Sequence, residues 1–231
     1  MTTKVQSATS TSPISSREKK HIGLGTACFS IAGIVYLVSE TVSAAAWHTP
    51  AYSYASNYIS DLGVSGCGSL FHGRQICSPL YGVMNAGFML EGLFFLMGAI
   101  ICSRSIAQPW KAVSLLLALL HGVGMLMVGV FHGSQAALGD GSLRYHLLGA
   151  QMAIGAGNLA LILYGSMASA IGLPPKLALP SVLLGCFGIV SAGALVAHIG
   201  HIPDGLTERG SVYTIMVWEI VVGVMVLWRR A

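Results

Sequence analysis

Charge is scarce in this chain: of 231 residues, 12 are Lys or Arg and 8 are Asp or Glu, or 9% in all. A soluble domain carries about 25%, so a water-exposed globule is excluded. The net charge of +4 is spread too thinly to make the clustered basic face that nucleic acid requires. No glycine-rich phosphate loop stands between a strand and a helix, and no HExxH-type motif occurs. Nucleotide, flavin and nucleic-acid roles are therefore left without a motif. No repeat with a period of about 20–50 residues is visible, and no long polar stretch remains for a soluble catalytic module.

What is present is apolar sequence, 54% of the chain. A hydrocarbon core of about 30 Å needs about 20 apolar residues at ~1.5 Å rise per residue. The candidate spans are Ile22–Trp47, Ser78–Ser103, Ala112–His132, Leu147–Ile171, Leu177–Ile199 and Tyr213–Trp228. The fold class expected is an all-α, six-helix polytopic membrane bundle. Residues 1–21 read as a cytoplasmic tail, disordered over the Ser/Thr-rich 2–16, and residues 22–231 as one transmembrane domain.

Orientation follows from the basic residues, which resist translocation. Lys4, Arg17, Lys19, Lys20, Arg104, Lys111, Lys176, Arg229 and Arg230 fall on one side, and Arg74, Arg144 and Arg209 on the other. Nine against three places both termini in the cytoplasm, in the plasma membrane. Lys19-Lys20 ahead of a run ending Ala44-Ala45-Ala46 has the outline of a signal peptide. The run far exceeds a 7–15-residue signal core, so a retained first helix is expected.

Cys67 and Cys77 share the first outer loop, where two thiols would oxidise to a disulfide; the alternative is two free thiols. Cys28, Cys102 and Cys186 read as small packing residues. Gly149, Ala153 and Gly157 make a small-residue stripe on span four, as Gly188 and Ala192 do on span five, which suits close helix packing in lipid.

Histidines and acids collect at the outer ends of the spans. His48, His132, His198 and His201 follow the three outward-running helices, His146 precedes span four, and Asp61, Asp140, Asp204 and Glu208 lie in the outer loops. Any one interfacial histidine merely bridges headgroup and hydrocarbon, but their repetition suggests a site. The candidate catalytic set is Asp61, His132, His146 and His198, with Asn57, Ser60, Arg209, Glu219 and His201 as binding residues and Arg209 as a cationic rim. A zinc ion on His132, His146 and His198 is the weaker alternative to a metal-free polar cluster, so no cofactor is expected. Glu40, Glu91, His121 and Glu219 lie within spans, where ionisable groups face a bundle interior or watery cavity. Glu91 and His121 come about 20 Å and about 16 Å deep at ~1.5 Å per residue, so they can form an intramembrane pair. Its use is proton movement or, more commonly, mutual satisfaction.

Three segments together carry a family likeness. Asn57-Tyr58-Ile59-Ser60-Asp61-Leu62-Gly63 follows span one. Gly129-Val130-Phe131-His132 closes span three, and His146-Leu147-Leu148-Gly149-Ala150 opens span four. Glu208-Arg209 then precedes Tyr213 and Trp218-Glu219. This order resembles the prokaryotic domain-of-unknown-function family 998 and, more distantly, the eukaryotic FRAG/DRAM/SFK-like membrane proteins. The family's Phe-Pro-x-Asp turn is replaced here by Phe131-His132-Gly133-Ser134, so a carboxylate role at that turn does not carry over. The resemblance implies six spans and a polar outer-face site; the eukaryotic relatives include a lipid-remodelling factor, which points toward lipids.

The expected function is therefore lipid handling or modification at the outer face, with membrane lipid as partner. The alternative is a non-catalytic structural or regulatory membrane protein with a protein partner of unknown identity. A small-solute or proton-coupled transporter using Glu40, Glu91 and His121 comes third. Asn57–Gly63 reads equally as a capped turn, with Ser60 or Asp61 as the cap.

Overall fold

The computed structural model describes residues 16–71, 73–199 and 202–229. The tail through residue 15 and the candidate binding residue His201 lie outside the described residues. Six long apolar helices dominate, each able to cross a membrane by length and composition. They are α1 (Ser16–Ala46), α2 (Tyr81–Cys102), α3 (Trp110–Val130), α5 (Leu143–Ser166), α6 (Ala178–Val196) and α7 (Asp204–Trp228), with the short α4 (Gln135–Asp140) between α3 and α5. Helices consecutive among these six pack side by side, and α7 returns to pack on α1, closing a ring. Across that ring α5 and α7 touch only lightly.

Two boundaries differ most from the sequence reading. Ser16–His21 are the first turns of α1 and not tail, with Glu18 in the first turn, where an acid complements the helix dipole. The last span starts at Asp204 and not Tyr213. Asp204, Thr207, Glu208, Arg209 and Ser211 hide the apolar signal there. They are tolerated because Thr207, Arg209 and Ser211 are buried against protein groups, not lipid.

Close approach holds the ring together. A Cβ on Gly122 would stand 3.0 Å from the carbonyl oxygen of Gly92, and one on Gly92 would stand 3.0 Å from that of Gly122, so α2 and α3 meet backbone to backbone. The Gly149 stripe of α5 faces α3 similarly: a Cβ on Gly149 would be 2.9 Å from the Gly124 oxygen. The fifth span, α6, is the most peripheral. Only Ser181, Gly185, Gly188 and Ser191 of α6 are buried, while Leu183, Phe187 and Val190 are among its exposed apolar side chains. That is the pattern of a helix whose outer face meets acyl chains.

One end of the bundle carries most of the connecting structure. Between α1 and α2 lie a 3-10 turn (Ser60–Gly63) and the antiparallel strands β1 (Cys67–Phe71) and β2 (Arg74–Cys77). Cys67 and Cys77 pair across this hairpin and are joined by a disulfide. Ser78 donates its hydroxyl to Leu62 O at 2.6 Å, which fastens the hairpin to the turn.

Candidate functional site

Arg209 is the centre of the polar structure at this end, and it is not a solvent-facing rim. Because α7 begins at Asp204, Arg209 sits in its second turn, 6% exposed, and reaches under the 52–61 segment. Its Nη1 donates to the carbonyl oxygens of Tyr54 (2.6 Å), Asn57 (2.9 Å) and Gly205 (3.0 Å). Its Nη2 donates to Glu40 Oε1 at 3.0 Å and to the Tyr52 hydroxyl. One turn further along α7, the Tyr213 hydroxyl lies 2.9 Å from both oxygens of Glu40. The guanidinium also covers the Tyr54 ring, 4.9 Å from its centroid, a cation–π contact. Burial holds the Tyr52 phenol well above its ordinary pKa, so it stays protonated and donates to Tyr58 O at 2.9 Å. Both Nη atoms of Arg209 and both carboxylate oxygens of Glu40 are thus bonded, Arg209 Nε alone having no partner among the described residues, and such pairing is the condition under which burying charge is tolerated.

Asp61 is similarly engaged. Arg74 grips it with two bonds, Nε to Oδ2 at 2.9 Å and Nη2 to Oδ1 at 3.2 Å. The amide N–H of Tyr58 and the carboxamide of Asn57 donate to Oδ2 at 3.0 and 3.3 Å. Arg74 in turn lies over the Tyr58 ring at 4.1 Å. The Tyr58 phenol, its pKa raised by burial and by its bond to Asp204, donates to Asp204 Oδ2 at 2.7 Å. The N–H of Ile59 donates to Glu208 Oε2. The Asn57–Asp61 motif is therefore stitched to α7 at two acids and to the hairpin at Arg74.

Two of the predicted histidines stand near this motif. Asn85 on α2 donates to Gly63 O at 2.9 Å, and its same nitrogen meets His132 Nε2 at 3.1 Å. A carbonyl only accepts, so the Asn85 amide is oriented and His132 Nε2 receives its second hydrogen. Burial lowers the His132 pKa, consistent with a neutral ring. On α5, His146 Nδ1 donates to Phe131 O at 2.7 Å, which fixes the tautomer and leaves Nε2 with its lone pair, the arrangement of a base.

A cavity of about 50 Å³ lies below the motif, room for a few waters at ~10–15 Å³ each. Ser60, Glu208 and His146 stand at its upper end, Ile154, Val212 and Ile215 are among its apolar walls, and His121 lines its depth. Of the four proposed catalytic residues, only His146 faces it. Asp61 and His132 stand just behind, held by Arg74 and Asn85.

His198 does not join them. It adopts φ +45° just past the end of α6, turning the chain outward. It is 72% exposed, with Asp204 beside it at 3.6 Å. The zinc set of His132, His146 and His198 is therefore not assembled, and among the described residues no three His, Cys, Asp or Glu side chains gather as metal ligands.

Deeper, the Glu91 and His121 side chains meet in the core: His121 Nε2 is 2.8 Å from Glu91 Oε1, and His121 Nδ1 is 2.8 Å from Ala153 O. Glu219 is fully buried beside them, and so belongs to this interior group and not to the end of the bundle.

Glu40, Tyr52, Arg74, Asn85 and Tyr213 were not in the predicted site. Glu40 carried a signal, since a lone acid in an apolar span needs a cationic partner. Tyr52 carried none, because its role follows from the path of the 47–61 segment.

No curated protein and no solved structure matches this chain. Residues 30–225 match the family described as "Protein of unknown function (DUF998)", a stretch that holds nearly all of the six spans, the Asn57–Asp61 motif and the cavity. The chain belongs to that family.

Proposed function

We propose that the cavity receives the polar group of a lipid or lipid-like amphiphile from the outer leaflet, with His146 as the proton acceptor. The observation that carries this reading is the combination of a polar upper end, apolar walls and a histidine of fixed tautomer. Ala150, Ile154 and Val212 of that lining are part-exposed, beside the light contact between α5 and α7. An acyl chain can lie along these residues while the headgroup reaches Ser60 and His146. The cavity is far smaller than a drug-sized pocket of about 300–1,000 Å³, so only the polar group enters and the tail stays in the bilayer.

The reading requires the hairpin end to face outward, with both termini in the cytoplasm. The nine-to-three asymmetry of basic residues supports it, and so does the disulfide, which persists outside reducing compartments. In intact cells a membrane-impermeant thiol reagent should label Cys67 and Cys77 only after reduction, and reporter fusions after Ser65 and Gly139 should report export. Labelling without reductant, or a cytoplasmic signal from either fusion, contradicts this arrangement.

The function itself is tested by lipid analysis of a deletion strain complemented with variants. His146→Ala should insert at the wild-type level yet leave the lipid profile of the deletion strain uncorrected, a loss of about 10²-fold or more in rate for a general base. Full correction by His146→Ala removes the base. A deletion strain with an unaltered profile favours the second reading, a non-catalytic membrane scaffold. That reading draws its support from how completely Arg209 and Asp61 are tied up.

A further inference from the structure

Among the described residues, three carboxyl oxygens in the middle of the bundle have no N–H or hydroxyl donor: Glu91 Oε2 and both oxygens of Glu219. Both side chains are fully buried, on α2 and α7, in a part of the molecule where an unpaired charge is costly. Yet the two carboxyl groups are direct neighbours. These facts agree if one carboxyl is an acid, because two carboxylates side by side repel and have nothing to donate. The space for Glu219 is made by a glycine on α1, since a Cβ on Gly33 would stand 3.0 Å from Glu219 Oε2.

The third member is His121. Ala153 O only accepts, so His121 Nδ1 carries hydrogen at 2.8 Å from it. Nε2 then either receives a proton from Glu91 or donates one to it across 2.8 Å. In both arrangements the three groups share two protons besides the one on Nδ1, and the cluster is neutral. His121 and Ala153 both line the cavity, so the Nδ1 side of the ring lies against α5 at the cavity while Nε2 faces the acids.

We propose that Glu91, Glu219 and His121 form a proton-binding site inside the membrane span, in exchange with the cavity through the His121 ring. To release a proton, Nε2 takes the hydrogen of Glu91 and Nδ1 gives its own to cavity water. Glu91 is left as a carboxylate held by Nε2–H and by the Glu219 hydroxyl. Uptake runs the same steps backward, with no redox change and no bond to carbon altered. The other ionisable groups around this path are Tyr36 and Glu40 on α1, Glu208 on α7 and His146 on α5.

The site shares the cavity with the lipid reading but does not depend on it, and its test needs no lipid substrate. Infrared spectra of the purified protein in nanodiscs at neutral pH should contain a carboxylic-acid carbonyl band that shifts in D2O. Glu219→Gln keeps a donor toward Glu91 and should remain folded while that band weakens or disappears. Glu91→Gln serves the same purpose if Glu219→Gln does not fold. Ala150→Phe, which narrows the cavity, should retain the band and slow its shift. A spectrum without an acid band, or one unchanged in both glutamine variants, overturns the proposal; in the latter case the acid is Glu40 or Glu208. A band that never shifts in D2O, or shifts equally fast in Ala150→Phe, overturns the exchange path.

Discussion

Arg209→Ala should yield almost no monodisperse protein on extraction into detergent. The substitution leaves Glu40, 1% exposed, with only the Tyr213 hydroxyl. It also strips donors from the carbonyls of Tyr54, Asn57 and Gly205. Removing one member of a buried ion pair costs about 3–5 kcal/mol, against a total stability of about 5–15 kcal/mol. The loop carbonyls of Tyr54 and Asn57 lose the guanidinium at the same time, so the upper part of that range is expected. Arg209→Lys should fall between, because an ammonium places its three donors at one point and cannot span carboxylate and carbonyls as the planar fork does. The discriminating variant is the pair Glu40→Met with Arg209→Met. It removes both charges, and it should recover much of what Arg209→Met alone loses, since no charge is then stranded. Elution profile and thermal midpoint by fluorescence-detected gel filtration read all four. A wild-type midpoint for Arg209→Ala would mean that the network contributes no stability.

That prediction also marks where sequence reasoning reached and where it stopped. Six spans were legible because bilayer thickness imposes a length on apolar runs, and each long run became a helix. The polar start of α7 was not legible. Asp204–Ser211 reads as a loop by hydropathy, and only the 52–61 segment folded against it turns Arg209 from a solvated charge into an internal one. Glu40 and Arg209 are 169 residues apart, and nothing local in either span announces the other. The histidine cluster divided for a similarly non-local reason. His132 and His146 flank the short connection between α3 and α5, and the carbonyl of Phe131, next to His132, receives the His146 proton. His198 ends the peripheral helix, where one residue of left-handed backbone turns it away. Similar depth on different helices is therefore weak evidence for convergence unless the helices are neighbours and the chain after each one turns inward.

Packing between non-local neighbours also makes α6 sensitive to a single added carbon. Gly188 faces the Asn158 side chain so closely that a Cβ there would overlap the carboxamide. Asn158 cannot retreat freely, because it donates to Ile154 O at 2.9 Å and Ser211 O at 2.8 Å and accepts from the Thr214 hydroxyl at 2.8 Å. Those bonds tie α5 to α7 at the very seam where the two helices touch lightly. Gly188→Val should either push α6 outward or break the Asn158 bonds. Overpacking costs about 1–3 kcal/mol, and each lost hydrogen bond about 1 kcal/mol more. Gly188→Ala should do the same in milder form, and Asn158→Ala alone should cost the bonds but not the packing. Combining Gly188→Ala with Asn158→Ala provides the space the new methyl needs, so the double variant should melt no lower than Asn158→Ala by itself. Thermal midpoints of the four proteins form a closed cycle. If Gly188→Ala and Asn158→Ala simply add, the two residues do not share the contact, and α6 is held elsewhere along its length.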